Sequence, residues 1–327
     1  MNKIAFFETN PWEEEPIKDW AKKLGADVFD EEVENAVSTA KDYEIISCFI
    51  YSDCSEKILK QLPRLKMIAT RSTGADHIDT EFCRKKNIVV ASVPHYGENT
   101  VAEHTFALIL SLSRRIIECV ERVRQGGFSP VGLTGFDLKD KTIGVVGVGS
   151  IGQYVARIAK GFDMKVLGVA RTPDPALPKK LGFKYVNLEE AARQSDILTL
   201  HLPLTKETFH LINREMVKKM KPGITLINTS RGPIIESEAL LWGLEEKIIA
   251  GAGLDVLEEE ESLDEPGKLF DPYLSKDDLS ELVAAHLLRE KPNVVITPHN
   301  AFNTKEAIAR IVKTTAENIQ SFLKTNH

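Results

Sequence analysis

A short stretch near the middle of the chain decides the fold, and it reads Thr142-Ile-Gly-Val-Val-Gly147-Val-Gly149-Ser-Ile-Gly152. The apolar run Thr142–Val146 predicts a buried strand, and Ile151–Ala159 predicts the helix that follows it. In such a turn the first glycine permits tight backbone curvature and the second lets the backbone approach a pyrophosphate. The third lets helix and strand pack closely, while the helix N-terminus faces the phosphates. The stretch therefore predicts a dinucleotide-binding strand–turn–helix unit.

Strand-length apolar runs alternate with helical stretches on both sides of this turn. The runs before it are Lys3–Thr9, Ala26–Phe29, Tyr43–Tyr51, Leu65–Thr70 and Asn87–Val93. The runs that begin with the turn's own strand are Thr142–Val146, Lys165–Val169, Asp196–His201, Ile224–Asn228, Ile248–Val256 and Val294–Thr297. Such alternation predicts parallel sheets covered by helices. Because 327 residues correspond to about two domains, we predict an α/β fold with two doubly wound parallel-sheet domains.

One long helix, from Val101 to about Arg124, is predicted between the two series. Its Phe106–Leu112 portion is apolar nearly all round, so we expect it to be buried at a domain or subunit contact. The pair Gly126 and Gly127 ends it.

Composition excludes several classes of protein. The net charge is −6, and the longest unbroken basic run is Arg84-Lys85-Lys86, so nucleic acid is not expected as the main partner. Neither the central run Phe106–Leu110 nor the N-terminal Ile4–Phe7 is long enough for a bilayer span or a signal-peptide core. Four cysteines lack metal-ligand spacing, so we expect reduced thiols, no metal site and a cytoplasmic protein. They are Cys48, Cys54, Cys83 and Cys119.

The end of the second cofactor-domain strand bears on the choice of dinucleotide. NAD-specific sites place Asp or Glu there to bind the ribose 2′-hydroxyl. Here Lys165–Val169 is followed by Ala170-Arg171-Thr172, without a carboxylate. Arg171 fits a charge-assisted contact with a 2′-phosphate. The alternative is that Arg171 is a solvated surface residue and Asp174 supplies the acidic group. NADP(H) is therefore favoured as the cofactor, with NAD(H) as the alternative.

Three charged side chains follow strands of the second series. Arg231 follows Ile224–Ser230, Glu260 comes after Ile248–Val256, and His299 follows the last strand. Ligands of doubly wound sheets bind beyond the carboxyl ends of the strands. In reduction of a 2-keto acid the arginine would bind the carboxylate and polarise the carbonyl. The histidine would deliver a proton, supported by the glutamate. Taken singly, each also fits a structural role in a turn or a solvated loop.

Seven short motifs are distributed over nearly the whole chain. They are Thr70-Arg-Ser-Thr-Gly-Ala-Asp-His-Ile-Asp79, Val101-Ala-Glu-His104, Gly147–Gly152, Leu200-His-Leu-Pro203, Asn228-Thr-Ser-Arg-Gly232, Gly253-Leu-Asp-Val256 and Thr297-Pro-His299. In this order they resemble the motifs of the D-2-hydroxyacid dehydrogenase family, and most of all its D-lactate dehydrogenase branch.

The resemblance implies NAD(P)H-dependent reduction of a pyruvate-like 2-keto acid to the D-2-hydroxy acid. It implies that Arg231, Glu260 and His299 are the catalytic residues, with His299 as acid and base. The family's glutamate lies five residues after the aspartate of the Leu-Asp motif, which selects Glu260 after Asp255. Its neighbours would be loop charges, namely Glu258, Glu259 and Glu261.

Binding residues are also carried over from the resemblance. The implied cofactor contacts are Ser150 and Ile151 at the pyrophosphate, Leu202, Pro203 and Thr208 near the adenosine, and Thr229, Ser230 and Asp255 near the nicotinamide. For the substrate carboxylate, backbone N–H groups of Thr73 and Gly74 are implied, with Tyr96 closing over it.

The resemblance further implies the domain organisation. Residues 1–99 plus 300–327 would form a smaller, flavodoxin-like substrate-binding domain. Residues 100–299 would form a Rossmann cofactor domain, with the substrate held in the cleft between the two. A homodimer built on the cofactor domain is implied, which gives the apolar Val101–Leu112 segment a use.

One departure leaves the keto acid open. After His299 the D-lactate branch commonly has an aromatic pair, whereas this chain has Asn300-Ala-Phe302-Asn303. A glyoxylate or hydroxypyruvate reductase is the alternative enzyme, and a nicotinamide-sensing corepressor-like protein is the alternative from another class. The remaining histidines are expected to be structural or surface groups. They are His77, His95, His104, His201, His210, His286 and His327.

Overall fold

The computed structural model describes residues 3–258, 260 and 276–325, and the chain divides into two compact units. The first unit is Met1–Gly97 with Asn303–His327, and the second is Glu98–Phe302. The resemblance implies boundaries after residues 99 and 299. The chain changes unit earlier because a helix of the second unit begins at Glu98. It returns later because the backbone N–H groups of residues 300 and 301 are bound within the second unit.

The first unit contains a parallel sheet of five strands in the order β2-β1-β3-β4-β5. The strands are β1 Ile4–Phe6, β2 Asp27–Val28, β3 Ile45–Cys48, β4 Met67–Thr70 and β5 Val89–Ala91. Its helices are α1 Glu14–Leu24, α2 Val37–Ala40, α3 Glu56–Leu59, α4 Thr80–Lys85 and, from the end of the chain, α13 Lys305–Thr325. This strand order is the flavodoxin-like one. All residues of β3 and β4 are buried, as expected when helices cover both faces of a parallel sheet.

A fully buried ion pair ties the carboxyl end of β4 to the start of α1. Arg71 and Glu13 are both 0% exposed, and the guanidinium Nε and Nη2 donate to the two carboxylate oxygens at 3.0 and 2.9 Å. The remaining guanidinium donors bind the backbone oxygens of Phe7 and Glu8 and the hydroxyl of Ser47. Because each nitrogen has a partner, the charge is compensated inside the first unit.

The second unit contains a parallel sheet of seven strands in the order β12-β11-β10-β9-β6-β7-β8. The strands are β6 Thr142–Val146, β7 Lys165–Val169, β8 Lys184–Tyr185, β9 Ile197–Leu200, β10 Ile224–Asn228, β11 Ile249–Leu254 and β12 Val294–Ile296. The helices are α5 Glu98–Ser113, α6 Ile116–Arg124, α7 Ser150–Gly161, α8 Leu177–Leu181, α9 Leu188–Gln194, α10 Arg214–Lys218, α11 Ser237–Glu245 and α12 Lys276–Arg289, with a 3-10 turn at Gly232–Ile234. Six of these strands follow the Rossmann order, with β12 added at one edge. The predicted fold class is confirmed.

The prediction of a single long helix from Val101 to Arg124 is wrong, because the structure has two helices there, α5 and α6. Arg115 takes a left-handed conformation with φ +50°, which ends α5 and starts α6 in a new direction. Helix α5 is buried along much of its length, whereas α6 buries none of its residues. Four apolar side chains of α6 are 42–54% exposed, namely Ile116, Ile117, Val120 and Val123. Among the described helices, none is both long and apolar enough to cross a bilayer.

Candidate active site

The glycine turn after β6 leaves room for a ligand at one position and for no side chain at two others. Gly147 has φ +97°, and a Cβ there would lie 2.2 Å from the carbonyl oxygen of His201. At Gly152 a Cβ would lie 2.1 Å from the oxygen of Gly147, so helix and turn touch through these two glycines. At Gly149 a Cβ would meet no atom within 4 Å. The turn is therefore tight on its protein side and open at its middle glycine.

The N-terminus of α7 lies at that open position. Gly149 is the N-cap residue, and no side chain in the described part of the chain caps the helix there. The first helical hydrogen bond runs from the N–H of Gln153 to the oxygen of Gly149, at 3.0 Å. The N–H groups of Ser150, Ile151 and Gly152 precede it and have no helical carbonyl to bind. Three N–H groups beside an open glycine fit the pyrophosphate of a dinucleotide.

The end of β7 carries an exposed cation. Arg171 is solvent-exposed, and its positive charge acts on the carboxylate of Glu207. A hydrogen bond from the Thr205 hydroxyl lowers the pKa of Glu207, and the charge of Arg171 lowers it further. The Asp174 carboxylate accepts a hydrogen bond from the N–H of Ala176 at 2.9 Å, within its own turn. The nearest acidic alternative in the sequence is therefore engaged locally.

The segment after β9 forms a hydroxyl-stabilised turn. The Thr208 hydroxyl donates to the oxygen of Pro203 at 2.7 Å and accepts from the N–H of Thr205 at 2.8 Å. Leu202 is half-buried at the start of this turn. After β10, Thr229 is buried and its hydroxyl lies 3.1 Å from that of Thr105. Ser230, also implied at the nicotinamide end, donates its hydroxyl to Asn228 Oδ1 at 2.8 Å.

A histidine–carboxylate pair lies beyond the carboxyl ends of β11 and β12. Nδ1 of His299 is 2.8 Å from Oε1 of Glu260, with the two side chains 23% and 33% exposed. Oε2 of Glu260 accepts the N–H of Leu257 at 3.3 Å, which orients the carboxylate. A proton on Nδ1 donates to Glu260, so Nε2 is the atom that gives or takes a proton. This arrangement suits a general acid and base.

The turn that presents His299 is built on Asp255, which is 1% exposed. His299 has φ +48°, and its N–H donates to the backbone oxygen of Asp255 at 2.8 Å. The Asp255 carboxylate accepts the N–H groups of Asn300 and Ala301 at 2.8 and 2.9 Å, together with the hydroxyl of Thr297. Sequence reasoning missed this role and carried Asp255 over only as a nicotinamide neighbour. A strained histidine backbone is thus fixed by one buried carboxylate.

Helix α5 supports the same turn through a second histidine. Nε2 of His104 is 2.9 Å from the Thr297 hydroxyl and 3.3 Å from Oδ1 of Asp255. The imidazole therefore joins the buried cluster around Asp255, as a structural group.

Arg231 lies beyond β10, the strand on the other side of β11 from β12. It begins the 3-10 turn Gly232–Ile234, and its Nη1 donates to the oxygen of Ser230 at 2.7 Å. A Cβ at Gly232 would lie 1.9 Å from the oxygen of Leu257, so this turn packs directly on the segment that leads to Glu260. Arg231, Glu260 and His299 thus follow the carboxyl ends of three neighbouring parallel strands, β10, β11 and β12.

Glu258 is not a loop charge, contrary to the expectation from the sequence. It is 3% exposed, its Oε1 lies 2.5 Å from Nε2 of His210, and its Oε2 accepts the N–H of Ser237 at 2.7 Å. The run of four glutamates gave no signal that its first member is buried. The other two supposed loop charges, Glu259 and Glu261, lie outside the described residues.

Two further histidines have local partners. Burial lowers the pKa of His201 to about 3, and its Nε2 is 3.0 Å from the Thr199 hydroxyl, so the ring is neutral at pH 7. Nδ1–H of His286 donates to the oxygen of Leu282 at 2.9 Å. His327 lies outside the described residues.

The residues implied at the substrate carboxylate belong to the first unit. Thr73 is exposed after β4, and its hydroxyl donates to the oxygen of Val93 at 2.8 Å. Gly74 follows it directly. The backbone oxygen of Tyr96 accepts Nε of Arg310 from α13 at 2.6 Å. Side-chain contacts therefore hold both segments within this unit.

Comparison with known proteins gives consistent matches. A model of the NAD binding domain of D-isomer specific 2-hydroxyacid dehydrogenases matches residues 106–301. The chain is 35% identical over 327 residues to D-lactate dehydrogenase of Escherichia coli, covering 98% of this chain and 97% of that one. It is 37% identical over 291 residues to glyoxylate reductase of Thermococcus litoralis, covering 87% and 82%. D-lactate dehydrogenase of Aquifex aeolicus, solved with NAD and lactic acid, aligns with a TM-score of 0.88 and 36% identity over 99% and 96% of the two chains.

The glycine turn yields the first prediction. Gly152→Ala should lower the free energy of unfolding by about 1–3 kcal/mol, because its Cβ overpacks the turn. Gly149→Ala should leave that free energy near the wild-type value but weaken NAD(P)H binding, because its Cβ enters only the space open to a ligand. Urea unfolding and titration of NAD(P)H fluorescence measure the two quantities.

Gly161→Ala is the matched control, since a Cβ there also meets no atom within 4 Å but lies at the far end of α7. It should leave NAD(P)H binding unchanged and should not lower the free energy of unfolding, because Ala is favoured over Gly in a helix. Unchanged NAD(P)H binding in Gly149→Ala would contradict a pyrophosphate site at this turn.

Proposed function

The chain belongs to the D-isomer specific 2-hydroxyacid dehydrogenase family, and we propose that it reduces a pyruvate-like 2-keto acid to the D-2-hydroxy acid with NADPH. Membership makes it an oxidoreductase of 2-hydroxy acids that uses a nicotinamide cofactor. The observation that carries the proposal is the 2.8 Å contact between His299 and Glu260 at the sheet edge that also bears Arg231. A corepressor-like protein on the same fold would retain the same motifs, so turnover of a keto acid is the measurement that separates the two functions.

Each member of this set has one task in the proposed reaction. A nicotinamide cofactor, when bound, would supply the hydride that reduces the carbonyl carbon. Arg231 binds the substrate carboxylate and polarises the carbonyl, because its planar guanidinium matches a carboxylate in bidentate geometry. His299 delivers a proton from Nε2 to the oxygen, which becomes the hydroxyl. Glu260 stabilises the protonated imidazole before the transfer. In the reverse direction the same nitrogen accepts the proton.

The substrate carboxylate is assigned further partners in the first unit. We propose that the backbone N–H groups of Thr73 and Gly74 bind this carboxylate and that Tyr96 covers it. Phe302 is buried beside the His299 turn and presents no hydroxyl. A small apolar substituent such as the methyl group of pyruvate suits this composition, whereas glyoxylate and hydroxypyruvate remain the alternative substrates.

NADPH is assigned as the preferred cofactor because of the end of β7. Arg171 is exposed there. Ala170 occupies the position at which NAD-specific sites have a ribose-binding carboxylate, and such a carboxylate would repel the 2′-phosphate of NADPH. The carboxylate of Glu207 opposes this preference, because its negative charge interacts with the positive charge of Arg171 and would repel a 2′-phosphate. NAD(H) stays the alternative, and the Aquifex aeolicus relative was solved with NAD.

A homodimer built on the second unit is part of the proposal. The second unit exposes apolar side chains on the outer face of α6, and Phe128 and Val131, which follow α6, are 94% and 78% exposed. Exposed apolar patches of this kind mark sites of contact between proteins. A second apolar surface is the groove between α5 and α7, lined by Phe106, Leu110, Tyr154, Ile158 and Phe162 among others. A cytoplasmic location is proposed with it, since all four cysteines are free thiols.

A keto-acid panel tests the activity. Initial rates are measured for pyruvate, phenylpyruvate, glyoxylate and hydroxypyruvate, each with NADPH and with NADH. We expect the highest kcat/KM for pyruvate with NADPH. A higher value for glyoxylate or hydroxypyruvate would select the alternative enzyme, and no turnover with any pair would select the binding protein.

Substitution of the catalytic set should remove turnover without unfolding the protein. His299→Ala should lower kcat by about 10²–10⁴-fold, because a positioned general acid is lost. Arg231→Ala should lower kcat and also raise the KM for the keto acid. The control His286→Ala should keep wild-type kinetics. Normal turnover in His299→Ala would refute its assignment as the acid.

Within that set Glu260→Gln separates a charge effect from a structural one. It keeps the shape of the side chain but removes the negative charge beside the imidazole, so kcat for keto-acid reduction should fall while the KM for the keto acid changes little. A wild-type kcat in Glu260→Gln would assign the supporting role to another carboxylate.

The cofactor preference depends on Arg171. Arg171→Ala should lower kcat/KM for NADPH far more than for NADH, because the lost contact involves only the 2′-phosphate. The difference should shrink as salt rises, since exposed charges are screened over about 10 Å at 0.1 M. Ala170→Asp combined with Arg171→Ala should reverse the preference. Kinetic assays with both cofactors at several salt concentrations measure this.

Glu207→Gln is the matched control, since it removes the opposing carboxylate and should strengthen the preference for NADPH. Equal losses for both cofactors in Arg171→Ala would return the choice to NAD.

A further inference from the structure

The pair His210–Glu258 is not used in the proposed reaction, although it adjoins the site. Nε2 of His210 and Oε1 of Glu258 lie 2.5 Å apart, and the two side chains are 25% and 3% exposed. His210 itself has a left-handed backbone, with φ +49°. A buried carboxylate whose partner has a strained backbone is costly to maintain, which calls for a role.

The histidine end of the pair is bound to the Arg231 turn. The N–H of His210 donates to the oxygen of Pro233 at 2.8 Å, two residues after Arg231. Two more backbone bonds continue this contact, because the N–H of Ile212 binds the oxygen of Ile234 and the N–H of Glu236 binds the oxygen of Ile212. The position of the turn is therefore set by the segment that carries His210.

The glutamate end is bound to both sides of the site. Oε2 of Glu258 holds the N–H of Ser237, at the start of the helix that follows the Arg231 turn. Gly232 lies directly on the Leu257–Glu258 peptide, and the N–H of Leu257 in turn binds Oε2 of Glu260. A single buried carboxylate thus lies between the arginine turn and the glutamate that contacts His299.

A bound cation does not explain the pair. Ligand atoms of His210, Glu258 and Glu281 do lie within 4.8 Å of one another. However, two atoms bound to one Zn²⁺ at about 2.0–2.2 Å in tetrahedral geometry lie more than about 3 Å apart. The observed 2.5 Å is a direct hydrogen-bond distance between imidazole and carboxylate.

We propose that His210 and Glu258 are positioning residues of the reductase: their contact fixes the Arg231 turn relative to the loop that carries Glu260. The inference rests on the proposed function, because it assumes that Arg231 and Glu260 act on the substrate. Loss of the pair would shift the guanidinium from the keto-acid carboxylate while leaving the glycine turn that binds the cofactor in place.

The test is the kinetics of Glu258→Ala in the full chain, with pyruvate and NADPH. We expect kcat/KM to fall about 10–100-fold, as small misplacements of binding groups do. The KM for pyruvate should rise, while the dissociation constant of NADPH, read from its fluorescence, stays at the wild-type value. Glu258→Gln should restore most of the activity, because its amide can bind both Ser237 and His210.

A second variant covers the case in which Glu258→Ala does not fold. His210→Phe keeps a ring stacked on Phe209, whose centroid lies 3.9 Å from that of His210, but removes Nε2. It should raise the KM for pyruvate in the same way. The control is Asp196→Ala, which removes a carboxylate bound to the N–H of Thr142 and to Lys221 at the opposite edge of the sheet. It should leave kcat/KM unchanged.

A double-mutant cycle with Arg231→Lys decides whether the pair acts through the arginine. Glu258→Ala should raise the KM much less in the Arg231→Lys background than in wild type. Multiplicative effects would overturn the proposal, as would wild-type kinetics in Glu258→Ala. Zn²⁺ that alters wild-type activity but not that of Glu258→Ala would overturn it in favour of a metal site. Normal turnover in His299→Ala and Arg231→Lys would instead refute the proposed function.

Discussion

The Asp255 carboxylate binds two backbone N–H groups and a hydroxyl in the turn around His299, and the candidate active site depends on these bonds. A histidine with positive φ is strained, so this turn needs fixed partners on both of its sides. Asp255 supplies them from the end of β11, the strand between β10 and β12. The same residues end the second unit, which explains why the chain leaves that unit only after Phe302. The turn of the candidate active site and the boundary of the second unit thus depend on one buried carboxylate.

Parallel strands explain why the other groups gather near this turn. The carboxyl ends of β10, β11 and β12 lie at one edge, and each strand is followed by a functional segment. Short backbone contacts then connect the segments, most closely where Gly232 touches the peptide after Leu257. Such contacts transmit small shifts from one segment to the next, because packed backbone cannot give way as a flexible side chain can.

Much of the fold was predictable because its signals are local. The spacing of Gly147–Gly152 and the long buried strands identified the sheets, since each depends on neighbouring residues alone. The break at Arg115 was missed because nothing in the residue type requires a left-handed backbone. Strand β8 was missed because its two residues, Lys184 and Tyr185, form no apolar run, whereas β2 is equally short but lies within the apolar run Ala26–Phe29. The burial of Glu258 depends on His210, which lies 48 residues earlier, and no local pattern carries that information.

The buried pair Arg71–Glu13 has a consequence for loop grafting within this family. Arg71 directly precedes the segment Ser72–Gly74, so any exchange of that segment for a relative's sequence would begin at a residue anchored to α1. A graft that replaced Arg71 alone would strand the carboxylate of Glu13 in the core, at a cost of about 3–5 kcal/mol. A graft therefore either starts after Arg71 and keeps the recipient's pair, or includes Arg71 and has to replace Glu13, 58 residues earlier in the chain, at the same time.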